Sequence, residues 1–338
     1  MLSRVADSLY WMSRYMERAE NIARILDVNL QHVLDLPQRE PELIRKLWTP
    51  VLRSTGDERD FYARYKEASS ETVIDFLTLN QENHNSIVKC VTACRENARH
   101  VREQISDEMW EELNRFYLSL QGLTVKKILK QGADEFFKHI RSGSHLFQGI
   151  TDATMTHGEG WDFIQVGKYL ERIDKTTRIL DSNEDVLQPK KNDNDRATDT
   201  LKLAAILRSC SAHSAYRRVY VAQIEARKVL EFLILNPNFP RSIRFCTHEL
   251  DDSLRRISGE TEGSYSNDAE KHTGRLHSEL SYNGIDDIMS RGVSQTMDDI
   301  QRQLNKVGDA IYRAYMYFEG PEQAKPATEP AQKQTQKQ

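Results

Sequence analysis

Two stretches of this chain recur in the same order at nearly the same separation. Tyr15-Met16-Glu17-Arg18 and Arg24-Ile25-Leu26-Asp27 return 154 residues later as Tyr169-Leu170-Glu171-Arg172 and Arg178-Ile179-Leu180-Asp181. Phe76-Leu77-Thr78-Leu79-Asn80, with Ser86-Ile87 and Cys90 after it, returns 156 residues later as Phe232-Leu233-Ile234-Leu235-Asn236, with Ser242-Ile243 and Cys246. Two ordered matches at an almost constant offset point to an internal duplication. The expected architecture is two tandem copies of a helical unit, about 1–156 and 157–318, packed as a pseudo-two-fold helical bundle.

The repeated stretches carry helical periodicity. Val5, Leu9, Met12, Met16, Ala19, Ala23, Leu26, Leu30 and Val33 alternate spacings of four and three, which makes one apolar seam on a helix of about 30 residues. Ser3 suits its N-cap and Pro37 its end. Phe163, Val166, Leu170, Ile173 and Leu180 repeat the seam in the second copy. Further helices are expected near 60–79, 84–105, 107–129, 133–155, 198–235, 239–257 and 285–318. Residues 182–197 read as a polar break, and 259–274 as a mobile surface loop. The segment 319–338 has no apolar period and reads as a disordered tail. Only 15 glycines and 9 prolines punctuate 338 residues, which favours long helices over a turn-rich β fold. The fold class is therefore all-α.

Charge and cysteine usage exclude several function classes. A net charge of −4, from 47 basic and 51 acidic residues, gives no bulk attraction to nucleic acid or to a membrane surface. No apolar run reaches the roughly 18 residues of a membrane span, and the opening lacks a signal-peptide core, so the expected location is the cytoplasm. Cys90, Cys94, Cys210 and Cys246 lack C-x-x-C spacing and zinc-site histidines, so reduced thiols are expected and no metal.

The charged residues inside the helical pattern are the informative ones. Arg18 lies on a stripe of Trp11, Tyr15, Ile22 and Ile25, and a guanidinium there must find acceptors or bear a large desolvation penalty. Tyr169 and Ile179 frame its counterpart Arg172. Glu17 and Glu171 point roughly 100° away from the neighbouring arginines on the helical wheel, so neither pair closes on itself. A cross-helix or cross-repeat network is expected. Its role is either to fix helix register or to form an interior charged pocket for a ligand or partner.

A second cluster is Arg95, Arg99 and Arg102, spaced for one helix face, with Glu96 and Asn97 beside them. Three guanidiniums there call for carboxylates from other helices, a phosphate or a peptide carboxylate. The second copy has Asp251, Arg255 and Ser258 instead, which suggests one specialised anion site. Arg241 and Arg244 could line a similar spot beside the Asn236 turn. Phosphate-loop, nucleophile-elbow and zinc-helix signatures are absent, and the histidines lack the paired spacing of a di-iron bundle. No cofactor is expected.

MLSRVADSLYWMSRYMERAENIARILDV, FLTLNQENHNSI, CRENARHVREQIS, WDFIQVGKYLERIDKTTRILD and FLILNPNFPRSIRFC together resemble the alpha-E family, bacterial all-helical proteins named for a shared Glu-Arg motif. The likeness covers about 1–318. It departs at Asn80-Gln81, where the family's Asn-Pro turn has no proline, which leaves the loop after Leu79 open. The resemblance implies a circularly permuted ATP-grasp protein as partner, a transglutaminase-like protein and a peptide substrate as further company, and a setting of ATP-dependent peptide ligation or tagging. It singles out Glu17, Arg18, Glu171, Arg172 and Arg95, Glu96, Asn97 and Arg99. The expected function is a helical accessory to that ligation, binding an anionic peptide, an acyl-phosphate or the ligase. The alternatives are an amide-forming or amide-hydrolysing enzyme with Glu17 or Glu171 as base, and an oligomeric scaffold.

Overall fold

The computed structural model describes residues 1–34, 41–188, 196–221, 223–261 and 263–317. The expected tail at 319–338 and residues 189–195 of the break at 182–197 lie outside them. Among the described residues every regular element is helical and no strand occurs. The first half contains α1 (Ser3–Leu34), α2 (Pro41–Thr55), α3 (Glu58–Tyr62), α4 (Ser70–Thr78), α5 (Ile87–His100), α6 (Asp107–Ser119), α7 (Val125–Gln131) and α8 (Ala133–Thr154). Then come α9 (Glu159–Asp181), α10 (Glu184–Leu187), α11 (Arg196–Ser209), α12 (His213–Tyr220), α13 (Ala226–Leu235), α14 (Ile243–Ser258), α15 (Asp268–Tyr282), α16 (Ile285–Arg291) and α17 (Val293–Ile311). No helix of the described residues is long and apolar enough to cross a membrane.

The long helices α1 and α9 form the centre. α1 packs on α5, α8 and α9, while α9 packs on α1, α14 and α17. Leu9, Met12, Met16, Ala19, Ala23 and Leu26 of the α1 seam are buried, as are Phe163, Val166, Leu170, Ile173 and Leu180 of α9. The two backbones are in close contact at Gly167, where a Cβ would stand 2.3 Å from the Tyr10 carbonyl oxygen. Only glycine allows that backbone approach. All four cysteines are buried and unpaired.

Several expected helices are broken, each for a local reason. The 60–79 helix is two, because Ser69 caps α4 by accepting from the Thr72 amide while Thr72 bonds back to Ser69. The 84–105 helix stops at His100. Val101 leaves the helical region at φ −125°, ψ 30°, and Arg102–Gln104 form a separate 3₁₀ turn. Half of the expected loop at 259–274 belongs to α15, because the Asn267 side chain accepts from the Ala269 and Glu270 amides and starts a helix there. Gly292, at φ 97°, divides α16 from α17.

The turn after Leu79 does not need its missing proline. Asn80 Oδ1 accepts the Glu82 amide at 2.9 Å, and Ser86 Oγ donates to the Asn80 carbonyl at 2.7 Å. In the Asn236-Pro237 turn, Asn236 Oδ1 accepts the Asn238 amide at 2.9 Å and Ser242 Oγ donates to the Asn236 carbonyl at 2.5 Å. Asparagine at the turn's start sets the backbone in both loops.

Candidate functional site

The Glu-Arg dipeptides of α1 and α9 are paired crosswise. Arg172 Nη2 donates to Glu17 Oε1 at 2.8 Å. Arg18 donates to Glu171 twice, from Nε to Oε1 at 2.7 Å and from Nη2 to Oε2 at 3.1 Å. Each helix faces the other with its seam, so a glutamate beside the seam meets the arginine of the opposite helix rather than its own neighbour. Glu171 is fully buried and Glu17 nearly so.

Each pair is the middle of a larger cluster. Around Glu171, Arg14 Nε donates to Oε2 at 2.8 Å and Lys175 Nζ lies 3.4 Å from Oε1. Lys175 also reaches Asp174 at 3.0 Å, and Arg178 Nε donates to Asp174 at 2.9 Å. Arg18 Nη1 donates to Asn85 at 3.1 Å, and Asn85 in turn donates to Asp57 at 2.8 Å. Around Glu17, Gln148 Nε2 donates at 2.5 Å and Arg241 Nη1 at 3.5 Å. Arg241 Nη2 also donates to Glu20 at 2.9 Å, and Arg24 is bonded to Glu20. Arg172 closes the cluster on the Pro240 carbonyl at 3.2 Å.

Burial and surplus cations set the electrostatics. Burial pushes the Glu17 carboxyl up, but Arg172 and Arg241 outweigh it and hold it down at about 2. Burial likewise works against Glu171, and Arg18, Lys175 and Arg14 still hold it well below the usual carboxylate range. Desolvation, then Arg241 and Arg141, lower the Arg24 guanidinium to about 9. Desolvation, then Arg172, lower Lys168 to about 8. The Nε atoms of Arg24 and Arg172 are buried without a hydrogen-bond partner. Such groups are short of acceptors, as expected where cations outnumber carboxylates.

The Glu171 cluster approaches solvent. Arg14 and Asp174 line a cleft of about 530 Å³ together with Tyr10, Trp11, Asn305 and Tyr312. On the other flank, Arg178, Arg53 and Lys46 line an open cleft of about 840 Å³. The carboxylates themselves are unsuited to proton abstraction, since a base held well below the usual carboxylate range has little drive to accept a proton at neutral pH. The arrangement can hold and neutralise an anion.

The arginine row of α5 is built differently from its sequence spacing. Arg95 Nε donates to Asn114 at 2.8 Å and Nη1 to Glu96 at 2.6 Å, with its guanidinium 4.7 Å from the Tyr117 ring centroid. Arg99 pairs with the other Glu96 oxygen at 2.7 Å. Arg102, beyond the helix end, lies over Trp110 and 3.8 Å from Asp107. Asn97 is tied to the Ala93 carbonyl at 2.8 Å. Local acids and aromatic faces thus satisfy the row, and it does not join the Glu17 or Glu171 clusters.

Sequence reasoning found Glu17, Arg18, Glu171 and Arg172 and noted Arg241. It missed Arg14, Glu20, Arg24, Gln148, Lys168, Asp174, Lys175 and Arg178. The signal for two of these pairs was present, because Glu20-Arg24 and Asp174-Arg178 share the i,i+4 spacing and the 154-residue offset. Among the described residues no group of three or more His, Cys, Asp or Glu side chains is placed to hold a metal ion.

A family model described as a predicted alpha-helical domain with a conserved ER motif matches residues 1–316. An uncharacterized protein of Mycobacterium bovis is 26% identical over 275 residues, 77% of this chain and 30% of that protein. An uncharacterized protein of Mycobacterium tuberculosis strain H37Rv is 25% identical over the same length and shares. The chain thus matches only 30% of the length of these relatives. No solved structure matches it.

Proposed function

The chain belongs to the Alpha-E family, and on that premise we propose that it is the helical accessory of a circularly permuted ATP-grasp protein in peptide-bond formation. Its part is to hold an anionic group, a peptide carboxylate or an acyl phosphate, beside the α1–α9 seam. The observation that carries this reading is the cation surplus around Glu171. Arg14, Arg18, Lys175 and Arg178 surround Glu171 and Asp174, with Asp57 one hydrogen bond behind Asn85. Arg14 and Arg178 stand at the clefts, beside Asp174 and Asp309 in one and Glu58, Asp181, Glu184 and Asp185 in the other. Guanidiniums so arranged favour carboxylate and phosphate oxygens.

The mycobacterial relatives carry most of their length outside the matched part, which suits a protein whose helical segment works with another catalytic domain. A transglutaminase-like protein and a peptide substrate complete the proposed system, and its use of ATP places it in the cytoplasm. The pseudo-two-fold bundle belongs to the same proposal. The crosswise Glu17–Arg172 and Arg18–Glu171 bonds are what a duplicated helical unit would make on packing against its copy.

The test combines the purified chain with an ATP-grasp protein encoded in the same genome and a peptide substrate. ADP release and amide product are measured for each protein alone and for the mixture. The proposal expects product only, or far faster, in the mixture. Amide formation or cleavage by this chain alone, without ATP, would instead make it an enzyme in its own right.

A further inference from the structure

A cleft of about 470 Å³ lies between α14, the segment 263–265 and α15, away from both Glu-Arg clusters. On its α14 wall stands Asp251, 5% exposed. Arg255 Nε donates to Asp251 Oδ2 at 2.8 Å, and Arg255 Nη1 donates to the Thr261 and Ser264 carbonyls at 2.7 and 2.6 Å. Asp251 Oδ1 is buried and has no hydrogen-bond partner. A carboxylate oxygen in that position is short of one donor. Gly274, on α15 opposite, presents only backbone to Oδ1; a Cβ there would stand 3.6 Å from it and 3.5 Å from Arg255 Nη2.

The α15 wall bears the opposite charge. Lys271 and Arg275 sit one turn apart, and among the described residues neither meets a carboxylate; Lys271 has only the Tyr265 ring, 5.4 Å away. The other acid at the cleft among the described residues, Glu270, is already occupied by Ser266, Asn267 and Tyr315. A site with one unsatisfied carboxylate oxygen and, among the described residues, two unpaired cations suits a ligand of both charges. A plain anion would leave Oδ1 without a donor, and a plain cation would face Lys271 and Arg275.

We propose that this cleft binds a short zwitterionic peptide of dipeptide size, with its ammonium on Asp251 Oδ1 and its carboxylate between Lys271 and Arg275. Tyr265 and Tyr282 at the rim, 56% and 88% exposed, offer faces to the peptide's side chains. This inference is independent of the ligation reading and stands or falls separately.

The test is calorimetric titration of the full chain at low salt with L-alanyl-L-alanine, its N-acetyl form and its C-terminal amide. The dipeptide should bind, and each capped form should lose affinity about tenfold or more, since each lacks one charge-assisted contact. Arg275→Gln, an exposed substitution, should weaken the dipeptide while leaving the amide unchanged. Gly274→Ala keeps ordinary contact distances within the fold but puts a methyl group in front of Oδ1, and should abolish binding. Asp251→Asn is the weaker probe, because it also loosens the Arg255 anchor of the 261–264 segment. Equal affinity for the N-acetyl form, or no heat of binding up to about 10 mM dipeptide, would overturn the proposal.

Discussion

Arg172 Nη2 meets Glu17 Oε1 at 2.8 Å across 155 residues of sequence, so the arginine of one Glu-Arg dipeptide is satisfied by the glutamate of the other. The reverse bond, Arg18 to Glu171, is shorter still at 2.7 Å. Removing one partner strands a buried charge. Glu17→Leu should therefore cost about 3–5 kcal/mol in urea unfolding, while Glu17→Leu with Arg172→Leu should recover at least half of that loss. Equal destabilisation by the single and the double variant would mean the two residues are not coupled.

Acid should unpick the same bonds. Glu17 is held at about 2 in the fold against an ordinary value of 4.5, so the unfolded chain binds more protons between those values. Its contribution is complete above about pH 4.5 and is lost as the pH falls through about 2. The melting temperature should drop more steeply below pH 4.5 in the wild type than in the Glu17→Leu, Arg172→Leu double variant. Parallel curves would remove the carboxylate from the account.

Lys168 carries the opposite sign. Burial, and then Arg172, bring it to about 8 from 10.5, so the unfolded chain holds the proton longer as the pH rises. The penalty of charging it is full below about pH 8 and fades towards pH 10.5. Lys168→Met should raise the melting temperature by about 2–4 °C at pH 7, with a smaller gain at pH 10. A gain that does not shrink with pH would point to packing instead of charge.

Gly167 marks a close contact between the backbones of α1 and α9. Its Cβ would lie 2.3 Å from the Tyr10 carbonyl oxygen and 3.3 Å from Ser13 Cβ. Gly167→Ala should cost about 1–3 kcal/mol or more through overpacking, despite alanine's better helix propensity. A variant as stable as the wild type would show that the helices can separate freely there.

How much of this was legible in the sequence depends on the range of the interaction. The α1 seam, the burial of Arg172 and the crosswise direction of the glutamates follow from 3.6-residue periodicity, which acts within one helix. The partners Gln148 and Arg241 do not, because they reach Glu17 from α8 and from the loop before α14, 131 and 224 residues away. The α5 arginines do not form the single helix face that their spacing suggests, because periodicity assumes an unbroken helix. Val101 breaks it, turning Arg102 towards Trp110, and Glu96 answers both Arg95 and Arg99. α15 escaped notice because its composition is polar, although its Asn267 cap was in plain view.

The central claim is that the surplus cations at the seam serve an anion handled together with the ATP-grasp partner. Arg14 tests it best, because it lies at the cleft and Glu171 keeps Arg18 and Lys175 without it. The measurement is ADP release and amide formation by the partner with wild-type chain or with Arg14→Gln, each checked for its melting temperature. The account predicts at least a tenfold loss of stimulation, about 1.4 kcal/mol or more, with the melting temperature within about 3 °C of the wild type. Full stimulation by a folded Arg14→Gln chain would contradict it.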